Sequence, residues 1–185
     1  MKTYNQISLR EGLVLIFVAG LALTGLLSGG ITGTLFQLLA FALTATFAIT
    51  VFVARGRIRS FSIGFVTPIF LYAVALFVAG NPELDPYEGK LPTTALILPL
   101  FQNLVRNEYV NVSTGEVVKD FDPTKNPGLG GGGFGMGGIR HREVPDRSTF
   151  MPVAHTLLAL IFGYAGARFA MFIHDGQSQR AANGE

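Results

Sequence analysis

The sequence predicts an all-α integral membrane protein with four transmembrane helices. A long exterior loop between helices 3 and 4 is expected to contain an interfacial helix and a short β-hairpin. Three observations carry that expectation. Apolar runs occupy Glu11–Ser28, Leu35–Ala54, Phe61–Gly80 and Phe150–Ile173, each long enough to cross a hydrocarbon core of roughly 30 Å. Only 14% of the residues are charged and 49% are apolar, whereas water-soluble domains carry about 25% charged residues. Arginines then gather where the second run ends, a pattern that orients spans in a bilayer.

The first helix is expected over 9–28, about 30 Å long at 1.5 Å per residue. Lys2 and Arg10 precede it as they would in a secretory signal. The stretch outruns a signal core of about 7–15 residues, and a second run follows almost at once, so a retained helix is expected. Gly29, Gly30 and Gly33 should break the chain into a very short turn, because glycine adopts backbone angles closed to other residues. The second helix, about 34–54, ends at Arg55-Gly-Arg-Ile-Arg59. Arg55, Arg57 and Arg59 in so short a connector give the clearest orientation signal, and the positive-inside rule puts them in the cytoplasm. Pro68 should kink the third helix or disturb its first turns, which membrane helices tolerate.

Charge elsewhere agrees. Met1–Glu11, Arg55–Ser60 and Arg168–Glu185 together hold seven basic and three acidic residues, while Asn81–Thr149 holds seven basic and nine acidic. Both termini are therefore expected in the cytoplasm, in a bacterial inner membrane. The chain divides into a three-helix region 1–80, an exterior segment 81–149, a fourth helix 150–174 and a cytoplasmic tail 175–185.

Within the exterior segment, Thr93–Val105 is apolar but short for a span and contains Pro99. An interfacial or loosely inserted helix fits it better than a re-entrant segment or a fifth crossing. Strands at about 109–112 and 117–121 flank a turn through Ser113, Thr114 and Gly115, a hairpin signal. One hairpin is marginal alone, so it must pack on something. Eight of the eleven residues 128–138 are glycine. No strand, helix and Gly-Lys-Ser/Thr ending accompany them, so a phosphate loop is excluded. A flexible linker is the plain reading. The functional one makes Phe134 and Met136 anchors of a strap laid on a partner, followed by Arg140 and Arg142 in an alternating charged patch. Asn111-Val-Ser113 matches a glycosylation acceptor, a triplet common by chance.

In lipid, helices associate by close backbone approach at small residues. Ala159, Gly163 and Ala167 form such a stripe on the fourth helix, with Gly166 beside it. Ala40, Thr44 and Ala48 offer a mate on the second. Gly25, Gly29 and Gly33 share the interval but are better explained by a tight hairpin. The central layers hold no Asp, Glu, Lys or Arg, which argues against a proton pump or charge-driven transport. Gln37 and His155 should lie near the exterior boundary, and Arg168 can snorkel to the cytoplasmic one.

Cysteine is absent, which excludes disulfides and thiolate sites. His141 and His155, with Glu143 or Asp146, lack the short spacing of a metal site. His174 falls at the opposite end. Ser148 with Asp146 and His155 lacks a nucleophile elbow. His155 is expected to make interfacial hydrogen bonds. No catalytic residue, metal or dedicated cofactor is expected. Structural lipids are, and there is room for a pigment, haem or quinone shared with partner subunits. A net charge of +2 without a concentrated basic face does not indicate nucleic-acid binding. The expected function is a non-catalytic structural or accessory subunit, its partners being the bilayer and other membrane subunits. The alternative is a small transporter or channel built as a homo-oligomer, with threonines and Gln37 lining its path.

Overall fold

The structure is a computed structural model and describes residues 9–28, 30–79, 91–118 and 139–183. It contains α1 (Leu9–Ser28), α2 (Gly30–Val53), α3 (Gly56–Ala79), α4 (Pro92–Leu104), strands β1 (Arg106–Asn111) and β2 (Ile139–Val144), and α5 (Arg147–Asn183). α1, α2, α3 and α5 are long and apolar enough to cross a membrane, and α5 is the expected fourth span.

Helix boundaries differ from the sequence expectation at three places, each for a local reason. α2 starts at Gly30, not near residue 34. Gly30, at φ +55°, takes the left-handed angle that the reversal needs. Gly33 is inside α2. A methyl group built on Gly25 would lie 3.3 Å from Gly33 Cα, and one on Gly33 would lie 3.0 Å from Thr149 Cγ2 and 3.2 Å from Val153 Cγ2. The α1–α2 hairpin is thus tight, and α5 closes against the same glycine. The α2–α3 connector is shorter than expected, because Gly56 at φ +61° turns the chain and Arg57 and Arg59 belong to α3. Arginine is a good helix former, so nothing in these residues delays the start. α5 continues to Asn183 through most of the expected tail, and Asp146 stands at its head. The Asp146 carboxylate accepts from Ser148 N at 3.1 Å and from Ser148 Oγ at 2.9 Å, an N-cap arrangement.

α5 carries both parts of the core. Val153, Leu160 and Ala167 join Ala22, Phe36, Ala40 and Phe65 from the first three helices. Phe150, Met151 and Ala154 join Ile97 and Phe101 of α4. The closest approach is between α3 and α5. A methyl on Gly64 would collide with the Gly166 carbonyl and lie 2.6 Å from Ala170 Cβ and 2.9 Å from Ala167 Cα. A methyl on Gly166 would collide with the Gly64 carbonyl and lie 2.6 Å from Pro68 Cγ. One on Gly163 would lie 2.7 Å from Ile69 Cδ1 and 2.9 Å from the Phe65 carbonyl. Along α2 and α3, Phe47 packs on Phe61 and Phe65 with centroids 5.4 and 4.6 Å apart. At one end of the bundle Arg57 pairs with Asp175 at 3.3 Å and Arg168 with Glu11 at 3.7 Å.

α4 turns Thr94, Ile97 and Phe101 inward and leaves Leu96, Leu100 and Leu104 exposed. Beyond it, the hairpin between helices 3 and 4 is broader than expected. The short reversal is present, with Val110 bridging Val117 and Val118 N donating to the Tyr109 carbonyl at 2.7 Å. The longer ladder pairs β1 antiparallel with β2, from Arg106 opposite Val144 to Asn111 opposite Ile139. The alternating charged patch that begins at Arg140 therefore starts as strand, through Val144. Within the ladder Glu108 stands opposite Arg142, a favourable cross-strand pair. The outer part of the expected second strand, 119–121, and the glycine strap lie outside the described residues.

Gly64→Leu and Gly166→Leu are expected to destabilise the bundle by at least the roughly 1–3 kcal/mol of an overpacked core, because backbone sits where the side chain would go. Gly12, with open space around it, should accept alanine neutrally or with a gain of up to about 1 kcal/mol. Thermal unfolding in one detergent checks both.

Candidate functional site

A lateral groove between α2, α3 and α5 is the most developed cavity along the apolar part of the bundle. Its volume is about 490 Å³, within the roughly 300–1,000 Å³ usual for ligand sites. α2 lines it with Gln37, Ala40, Phe41, Thr44 and Ala48, a single face at helical spacing. α3 contributes Val66, Ile69, Phe70, Tyr72, Ala73 and Leu76, and α5 contributes Pro152, His155, Thr156, Ala159 and Leu160. The alanines are what keep the groove open, since larger side chains at those positions would fill it.

The polar groups collect toward one end. Tyr72 Oη lies 2.7 Å from His155 Nδ1, and Thr94 Oγ1 lies 3.5 Å from His155 Nε2. His155 is only 2% exposed, so a buried hydrogen-bonded imidazole ties α3, α4 and α5 together. Two proton arrangements satisfy it. With the proton on Nε2, the ring donates to Thr94 and accepts from the Tyr72 hydroxyl. With the proton on Nδ1, the ring donates to the Tyr72 oxygen and that hydroxyl is released to donate elsewhere. Tyr72 is also braced by Phe162, edge to face with centroids 5.6 Å apart. Among the described residues, no charged side chain lines the groove.

Four threonine hydroxyls are committed locally. Thr44 donates to the Ala40 carbonyl at 2.8 Å, Thr46 to Ala42 at 2.8 Å, Thr50 to Thr46 at 2.7 Å and Thr156 to Pro152 at 2.7 Å. Each satisfies itself on its own helix, one turn back.

The residues singled out from sequence fall in several places. Gly163 and Ala167 lie buried against α3, whereas Ala159 faces the groove. Ala40 is in the core beside Phe36, and Ala40, Thr44 and Ala48 border the groove across from Ala159. The close mate of α5 is thus α3, through Gly64, while α2 meets α5 around Phe36 and Ala40. Arg55 sits in the α2–α3 connector, with Arg57 and Arg59 in the first turns of α3. Arg140 and Arg142 occupy β2 opposite Val110 and Glu108. Phe134 and Met136 lie outside the described residues. His141 stands opposite Tyr109 in the ladder. Among the described residues no three His, Cys, Asp or Glu are grouped to hold a metal ion.

Compared with family models, with curated proteins and with solved structures, the chain matches none of them. Its own geometry carries the argument.

Sequence reading passed over Gly64, Tyr72 and Thr94. Ser60, Gly64 and Pro68 share the four-residue interval used to find the stripe on α5. A tyrosine inside an apolar run also needs a partner for its hydroxyl when buried. Tyr72→Phe leaves His155 Nδ1 buried without its partner and is expected to cost about 1–3 kcal/mol. Thr94→Val, which removes a contact at the outer limit of hydrogen-bond length, should cost less. Detergent-solubilised unfolding of the two variants gives the comparison.

Proposed function

We propose that this chain is a multi-pass membrane protein acting as a non-catalytic structural or accessory subunit of a larger membrane assembly. The observation that carries the reading is the β1–β2 ladder. No described side chain of either strand is buried, and Val112 and Val117 beside it are 65% and 50% exposed. A two-stranded ribbon without a core of its own needs a surface to lie on. Strand edges also invite pairing with another chain. The helices support the placement: Phe41, Phe52, Phe77 and Val78 all point outward, a surface suited to lipid or to neighbouring spans.

In the proposed orientation the ion-paired end carrying Arg55, Arg57 and Arg59 faces the cytoplasm, as do both termini, and the ladder lies outside. α4, apolar toward both the bundle and its surroundings, lies at the exterior interface. An oligomeric transporter is supported less well, because the threonines that would line its path already bond their own helices.

Mild-detergent extraction followed by native mass measurement is expected to return a hetero-complex. Val112→Asp combined with Val117→Asp should release the partners while leaving helix content and monomer elution unchanged. A closed homo-oligomer with flux in liposomes would overturn the subunit reading. Orientation has its own check. The chain has no cysteine, so Val112→Cys and Ser178→Cys each introduce a single label site. An impermeant maleimide applied to intact cells should modify the first and not the second; the reverse result rejects the orientation.

A further inference from the structure

We infer that the groove between α2, α3 and α5 binds a neutral, carbonyl-bearing membrane amphiphile of the quinone class. The Tyr72 hydroxyl donates to its carbonyl, and the tail lies along the alanine-lined part of the groove. The inference rests on the membrane placement above, and not on the subunit reading.

Four observations converge on that class. The cavity has the volume of a ligand site, and its lining residues Phe41 and Phe70 are exposed on the outside of the bundle, the side from which a lipid-dissolved molecule arrives. Its lining among the described residues bears no charge, so a phosphate or carboxylate head would be buried uncompensated, at high cost. Its hydrogen-bonding groups gather at one end while the rest is apolar, a gradient that matches a neutral head and a hydrocarbon tail. Phe41 and Phe70 stand at the same site as Tyr72, and aromatic faces favour a flat ring.

Depth separates this ligand from an ordinary phospholipid. His155 is eight residues into α5, about 12 Å along the helix from Arg147. A charged headgroup stays at the level of Arg147, whereas a neutral ring can descend to Tyr72. The donor is supplied by the proton arrangement already described. With His155 Nδ1–H donating to the Tyr72 oxygen and Thr94 donating to Nε2, the Tyr72 O–H leaves the imidazole, and a ligand carbonyl takes it in place of the neighbouring Thr93 side chain. Binding requires no change in the number of protons held, only their redistribution along Thr94–His155–Tyr72. No oxidation or reduction of the ligand is involved.

The test uses the full chain in phospholipid nanodiscs, titrated with a decyl-tailed benzoquinone and followed by calorimetry. Quenching of tyrosine emission provides a second readout, which is clean because the chain has five tyrosines and no tryptophan. Saturable one-to-one binding is expected. Tyr72→Phe should weaken it about tenfold, the loss of one good hydrogen bond, and Ala159→Leu should abolish it by filling the groove. Should Ala159→Leu aggregate, Tyr72→Phe decides alone, with its melting curve as the folding control. Decylbenzene, which has the ring and tail without carbonyls, should compete poorly. Absence of saturation, equal affinity in Tyr72→Phe or equal competition by decylbenzene would each overturn the inference. Retention of the native chain in carbonate-washed membranes tests the placement separately, so failure of the one is distinguishable from failure of the other.

Discussion

The backbones of α3 and α5 meet at Gly64 and Gly166, each glycine occupying the space where a side chain on the other would sit. Most of the bundle is arranged around that contact. Lipid offers no apolar driving force between helices, so association depends on how closely atoms approach and on a few polar links. With α3 and α5 pressed together, α5 presents Val153, Leu160 and Ala167 to the core shared with Ala22, Phe36, Ala40 and Phe65. α4 is then seated on Phe150, Met151 and Ala154. The same closeness at Gly163 and Ile69 leaves α2 standing off farther along, and the groove is the gap that results. Close packing on one side of α5 and an opening on the other have one geometric origin.

The polar chemistry divides by location. Arg57, Asp175, Arg168 and Glu11 form ion pairs at one end of the bundle, where water screens them and each contributes little. Deeper in, the links are neutral: a tyrosine, an imidazole and a threonine. Neutral groups are the ones that low-dielectric surroundings tolerate, provided each donor and acceptor finds a partner. His155 meets that condition with one bond to α3 and one to α4, so the network also fixes where the short helix docks.

How much of this was legible depended on whether a signal was local. The four long helices were readable from composition and run length because each run is self-contained. The reversals at Gly30 and Gly56 were placed only roughly. Periodicity does not say which glycine of a cluster takes the left-handed angle, and Arg57 and Arg59 could sit in a connector or a first turn equally well. Ala167 and Gly163 stood out on α5 by spacing, yet their mate did not, because Gly64 gains its meaning only when it faces Gly166. The ladder was less legible still. β1 pairs with residues about 30 positions away, across a glycine-rich stretch, and the nearer hairpin signal at 117–121 drew attention first. Tyr72, Thr94 and His155 come from three helices and share no motif.

α5 has 37 residues, a rod of about 55 Å at 1.5 Å per residue, nearly twice the roughly 30 Å thickness of a hydrocarbon core. Asp175 and Arg168 tether it at the rim of the bundle, and helix continues to Asn183 past that tether. Such a rod is a lever with a short protruding arm and its fulcrum at the Gly64–Gly166 crossing. The inner arm carries Ala159 with its neighbours Thr156 and Leu160, one wall of the groove. The wall of the groove and the protruding turns thus belong to one continuous helix.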